Sequence, residues 1–158
     1  MDALYIDMKY KKEKKSWQEI TLEVIAILLI ALFGLTAFDK AIRFERFYSE
    51  LGKSPFLMNY ALSVAIGTPL VELAVAVALS IDKTRLKALY MSVFLMSLFT
   101  AYIYLIVNYS YFKPCLCSAA IESLSWQQHL IFNIVFLILA IIGIIIEETN
   151  PQDQIQKP

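Results

Sequence analysis

LIFNIVFLILAIIGIII, residues 130–146, is seventeen consecutive residues without a charge. As an α-helix such a run rises about 25 Å, close to the thickness of a bilayer's hydrocarbon core. Three similar runs precede it: residues 88–107 hold no charge, residues 60–81 only Glu72, and residues 20–38 only Glu23. The four runs cover 78 residues with two charges, while the other 80 residues hold 26. Over all 158 residues, 59% are apolar or aromatic and 18% charged, with 14 basic and 14 acidic side chains. That composition excludes a water-soluble globule, a disordered chain and a nucleic-acid-binding domain. It predicts an all-α integral membrane four-helix bundle, with helices about 17–38, 59–81, 86–108 and 126–147. They form one domain, 17–148, between a basic tail, 1–16, and a polar tail, 149–158. Too little chain remains for a soluble catalytic domain, so any chemistry must lie within the bundle or its loops.

Orientation follows from the basic residues. Lys9, Lys11, Lys12, Lys14, Lys15, Lys83, Arg85, Lys87 and Lys157 put nine on one side, against five on the other: Lys40, Arg43, Arg46, Lys53 and Lys113. Both termini are therefore expected in the cytoplasm. The first run is long for a signal-peptide core and lacks a small-x-small cleavage site, so it stays as an anchor. The basic tail sets topology and touches anionic lipid.

Ser16-Trp17-Gln18-Glu19 reads as a capping box opening helix 1, and Ser125-Trp126-Gln127-Gln128 as one opening helix 4. Past Phe38 the helical period continues through Ile42, Phe47, Tyr48 and Leu51, interleaved with Asp39, Lys40, Arg43, Glu45 and Arg46. This predicts an amphipathic extension lying along the outer surface, ended by Gly52 and turned by Ser54-Pro55.

The loop after helix 3 holds both cysteines, Cys115 and Cys117, on the outer side by the charge argument. In an oxidising compartment a Cys-x-Cys pair closes a small, strained ring, and strained accessible disulfides are the reactive ones. A thiol–disulfide exchange centre is one reading. A local staple, or bonding to cysteines of a partner, is the other. His129 is the sole histidine, three residues into helix 4. It is read as a base that generates the attacking thiolate, or as an interfacial imidazole bonded to backbone or water. Two cysteines and a histidine fall one short of a four-ligand set, and no metal is assigned. Asn133, one turn below, is expected to make a hydrogen bond within the bundle.

Glu72 is the costly residue, because a carboxylate in hydrocarbon must be protonated or paired. It lies thirteen residues below Asn59, roughly 20 Å along the helix and past the bilayer centre. That depth separates it from His129 and the cysteines. Pro69 frees the carbonyl of Ala65 just above it, with Gly67 and Thr68 allowing close approach. A proton path or ligand contact is one reading of Glu72. The other is a neutral acid bridging helices, for which Glu72→Gln would be far milder than Glu72→Ala or Glu72→Lys.

With these residues placed, the chain from helix 1 to helix 4 resembles the MauE/DoxX group of small four-helix membrane proteins. The likeness rests on Gly34-Leu35-Thr36-Ala37-Phe38-Asp39-Lys40, on Thr68-Pro69-Leu70-Val71-Glu72-Leu73, and above all on Pro114-Cys115-Leu116-Cys117 followed by Ser125-Trp126-Gln127-Gln128-His129-Leu130-Ile131-Phe132-Asn133. Relatives commonly follow the cysteine pair with two glycines, where this chain has Ser118 and Ala119. The resemblance implies a redox-associated protein of the bacterial inner membrane that supports disulfide formation or maturation of an exported redox protein.

Three functions follow as expectations. The first is a thiol–disulfide electron carrier in which Cys115 and Cys117 exchange with an exported thioredoxin-like protein and pass electrons to a quinone. The aromatic outer half of helix 3, with Tyr102 and Tyr104, suits a flat quinone ring. The second is a non-catalytic assembly subunit of a larger redox complex or homo-oligomer, docking through its amphipathic extension. The third, a solute transporter centred on Glu72, is disfavoured by so small a bundle.

Overall fold

A computed structural model describes residues 2–54, 56–109 and 125–149, with side chains from Trp17 onward except that of Trp126. The described residues form α1 (Asp2–Ile42), α2 (Phe44–Lys53), a single 3₁₀ turn (Met58–Tyr60), α3 (Ala61–Leu79), α4 (Asp82–Tyr109) and α5 (Trp126–Thr149), with no strand among them. Four segments are long and apolar enough to cross a membrane: Trp17–Ile42, Met58–Leu79, Asp82–Tyr109 and Gln127–Thr149. The protein is an integral, multi-pass, all-helical membrane protein.

Each spanning helix buries one stripe. On α1 it runs through Leu22, Ile25, Leu29, Phe33, Ala37 and Lys40, and on α3 through Ala61, Ala65, Glu72, Val75 and Leu79. On α4 it includes Ser92, Met96, Ile103 and Ile106, and on α5 His129, Asn133, Ala140, Ile144 and Glu147. Steps of three, four or seven residues keep each stripe on one face, the pattern by which helices pack into a bundle. α1 packs on α3 and α5, and α4 on the same two, which closes the ring. Small residues such as Ala65, Ala76, Ala88, Ser92 and Ala140 on the stripes let the backbones approach. Outside the bundle, Leu28, Leu35, Leu70 and Ile138 are exposed. That apolar exterior suits lipid and not water.

The interior is divided. Near the α3–α4 turn it is filled by Leu29, Phe33, Leu79, Leu89, Met96 and Ala140, all nearly inaccessible. Toward α2 it opens into a cavity. Arg43, at φ −103° and ψ 35°, breaks the helix between α1 and α2. α2 follows with its buried Phe47 and Leu51 packed on Ala61 and Ala65 of α3, while Glu45, Arg46 and Ser49 stay exposed. This is the expected amphipathic helix, with one difference at its end. α2 runs through Gly52 to Lys53, no glycine has a positive φ, and Ser54 ends it in the extended conformation normal before proline, donating its N–H to Leu51 O at 3.1 Å.

The two capping boxes fare differently. At α5, Gln128 N–H donates to Ser125 Oγ at 3.3 Å and Ser125 N–H to Gln128 Oε1 at 2.8 Å, the reciprocal pair expected. Ser16–Glu19 opens nothing, because α1 is continuous from Asp2. Residues 2–33 contain neither Gly nor Pro and are rich in Lys, Glu, Leu, Ile and Ala. Nothing there breaks a helix, and a serine alone does not start a new one. The helix that carries the first span is thus Asp2–Ile42, of which Trp17–Ile42 is long and apolar enough to cross a membrane, and the helix that carries the third begins at Asp82.

Candidate functional site

Glu72 has a partner. Lys40, near the end of α1, donates from Nζ to Glu72 Oε1 on α3, and the two side chains are 11% and 1% exposed. Sequence reading put Lys40 on the outer surface with Asp39 and Arg43. It belongs instead to the buried stripe, three residues after Ala37 and seven after Phe33. Its four-carbon stem carries the ammonium inward along α1 to the carboxylate. The rings of Phe47 and Phe99 lie 5.7 and 5.3 Å from Nζ, so aromatic faces cover the charge where water would otherwise have to. A buried pair of opposite charges is tolerable in hydrocarbon where either one alone is not.

The pair stands on the wall of a cavity of about 820 Å³ among α1, α2, α3, α4 and α5. That is within the range of about 300–1,000 Å³ typical of small-molecule sites. The walls are apolar and aromatic, including Phe47, Phe56, Phe94 and Phe99, with polar contributions from Thr36, Thr68, Tyr102, His129 and Asn133. One edge is held by Tyr102, whose hydroxyl donates to the fully buried Ser54 Oγ at 2.9 Å and ties α4 to the end of α2. α3 passes Pro69 without interruption, and the adjacent Gly67 and Thr68 face the cavity.

His129 and Asn133 are both buried and both line this cavity. Glu72 and His129, expected at different depths, border the same cavity. Asn133 Nδ2 donates to His129 O at 2.9 Å, a bond within its own helix where one between helices was expected. Cys115 and Cys117 lie outside the described residues, in the stretch 110–124 joining α4 to α5. The site thus unites Lys40, Glu72, His129 and Asn133. Lys40, Phe99 and Ser54 were missed from sequence.

An ammonium and a carboxylate side by side offer a hydrogen-bond donor and an acceptor on the wall of a largely apolar cavity. Such a chamber accommodates a flat, apolar molecule with oxygen at one end. Among the described residues no group of three His, Cys, Asp or Glu side chains is arranged to hold a metal ion.

The family described as methylamine utilisation protein MauE matches residues 18–146, which takes in nearly the whole of the four spanning helices. No curated protein and no solved structure matches the chain. The chain belongs to the MauE family of membrane proteins.

Proposed function

We propose that this protein is a thiol–disulfide electron carrier of the bacterial cytoplasmic membrane. Cys115 and Cys117 exchange with an exported thioredoxin-like protein, and a quinone in the cavity takes the electrons. The partner's dithiol reduces the Cys115–Cys117 disulfide and leaves as a disulfide. The regenerated dithiol then gives two electrons and two protons to the quinone, which becomes a quinol while the pair closes again. The supporting observation is the cavity itself, set among four helices long and apolar enough to cross a membrane and walled by aromatic rings. It is bordered by His129 in the first turn of the helix that follows directly on the cysteine segment.

Purified protein equilibrated across a series of thiol redox buffers and then trapped with a mass-tagged maleimide is expected to show one reversible two-electron couple. Either Cys115→Ser or Cys117→Ser should abolish it. If both thiols stay reduced or both stay blocked at every poise, the carrier mechanism is wrong. The assembly-subunit reading then replaces it, with the exposed Glu45, Arg46 and Ser49 face of α2 as its docking surface.

The reading also requires both cysteines on the outer side and both termini in the cytoplasm, as the split of basic residues indicates. A membrane-impermeant maleimide is expected to label Cys115 and Cys117 in reduced intact cells whose outer envelope is permeabilised. Labelling that needs lysis of the inner membrane would reverse the topology and remove access to an exported partner.

A further inference from the structure

Glu72 has two carboxylate oxygens, and the structure satisfies one. Oε1 accepts from Lys40, whereas Oε2 is buried with no hydrogen-bond partner. The Thr36 hydroxyl lies close to Glu72 and donates to Phe33 O at 3.2 Å. A buried carboxylate oxygen left without a donor carries the full cost of its lost hydration. This one belongs to a side chain 1% exposed, on the wall of a cavity large enough for a small molecule. Beside it, the Lys40 ammonium has given one of its three protons to Oε1 and is otherwise covered by the Phe47 and Phe99 rings.

We propose that the Lys40–Glu72 pair selects a hydroxyl-bearing aromatic headgroup, so that the cavity holds a quinol more tightly than the matching quinone. The inference rests on the reading of the cavity as a quinone site and adds which redox form it favours. A phenolic hydroxyl both donates and accepts. It can give its proton to Glu72 Oε2 while its oxygen receives one from Lys40 Nζ, which completes both groups. A quinone carbonyl only accepts. It can satisfy Lys40 but gives no proton to Oε2. The flanking Phe47 and Phe99 suit a flat ring at that position. A hydrogen bond to an ionised partner is worth enough to make the difference about tenfold or more in affinity. Tighter binding of the reduced form by that factor raises the potential of the bound couple by about 30 mV. The site would thereby pull electrons from the dithiol onto the ring.

The test uses full-length protein in lipid nanodiscs, anaerobic, with both thiols alkylated so that no electrons exchange. Binding of a short-chain benzoquinol and of its benzoquinone is measured by titration, for wild type and for the K40M/E72Q double variant, which removes both charges together. The expected result is at least tenfold tighter binding of the quinol by wild type, with the preference lost in the double variant while the quinone still binds. Equal affinities in wild type, or a preference for the quinone, overturn the inference and leave the quinone site standing. If neither form binds, the quinone site itself is wrong and both readings fall. A preference that persists in the double variant removes the ion pair as its source. The wild-type comparison decides the main point even if the variant does not fold.

Discussion

Glu72→Leu alone is expected to destabilise the protein by about 3–5 kcal/mol, and Lys40→Met by a similar amount, whereas K40M/E72L together should regain most of the loss. Each single change strips a buried charge of its partner and leaves the other facing Phe47, Phe99 and lipid-embedded helix walls. The double change removes both charges and replaces them with side chains of similar volume on two helices that already pack together. Denaturant or thermal unfolding of the four proteins in one detergent gives the coupling free energy directly. Strict additivity of the two single losses would mean that the pair contributes nothing across α1 and α3. The pairing also changes the expectation for Glu72→Gln. A neutral acid would tolerate the amide, but an amide cannot balance the Lys40 ammonium, so Gln moves to the costly side with Leu.

The spans were legible because membrane burial demands long uncharged runs, and four of those are plain in the sequence. α2 was legible because Phe47 and Leu51 sit one turn apart among charges, and the α5 cap because Ser125 and Gln128 have the spacing of a reciprocal box. Lys40 was not legible by charge. A lysine just past an apolar run, next to Asp39 and Arg43, reads as solvated, and only the continuation of the Leu29, Phe33, Ala37 stripe signals that it turns inward. Seen as a stripe residue, it would have been matched to Glu72, the one acid on the facing stripe of α3. That Glu72 and His129 border one cavity was not legible either, because it depends on how α3 and α5 each pack against α1 and α4, which no local pattern encodes. The start of α1 was misplaced by trusting Ser16 and Glu19 over the absence of any helix breaker before Gly34.

Two glycines separate the filled half of the bundle from the hollow one. At Gly143 on α5, an added Cβ would lie 3.1 Å from Leu89 Cδ2 and 3.3 Å from Ile25 Cγ2. Both neighbours are core side chains, and Leu89 is completely buried. Gly143→Ala therefore asks for shifts of a few tenths of an ångström, while the better helix propensity of alanine offsets about 1 kcal/mol. Gly143→Leu must fit three further carbons where Leu89 and Ile25 already stand, and a loss of about 3 kcal/mol is expected, at the upper end for overpacking. Gly67 on α3 is the contrast: it lines the cavity, and an added Cβ there meets nothing within 4 Å. Gly67→Leu should leave unfolding unchanged within about 1 kcal/mol, yet it places a side chain in the chamber and should abolish quinone binding. Because both glycines are helical and both receive the same side chain, the difference between the two variants reports packing alone. Equal destabilisation at the two positions would mean that the space beside Lys40 and Glu72 is closed in the folded protein, and a ligand site there could not stand.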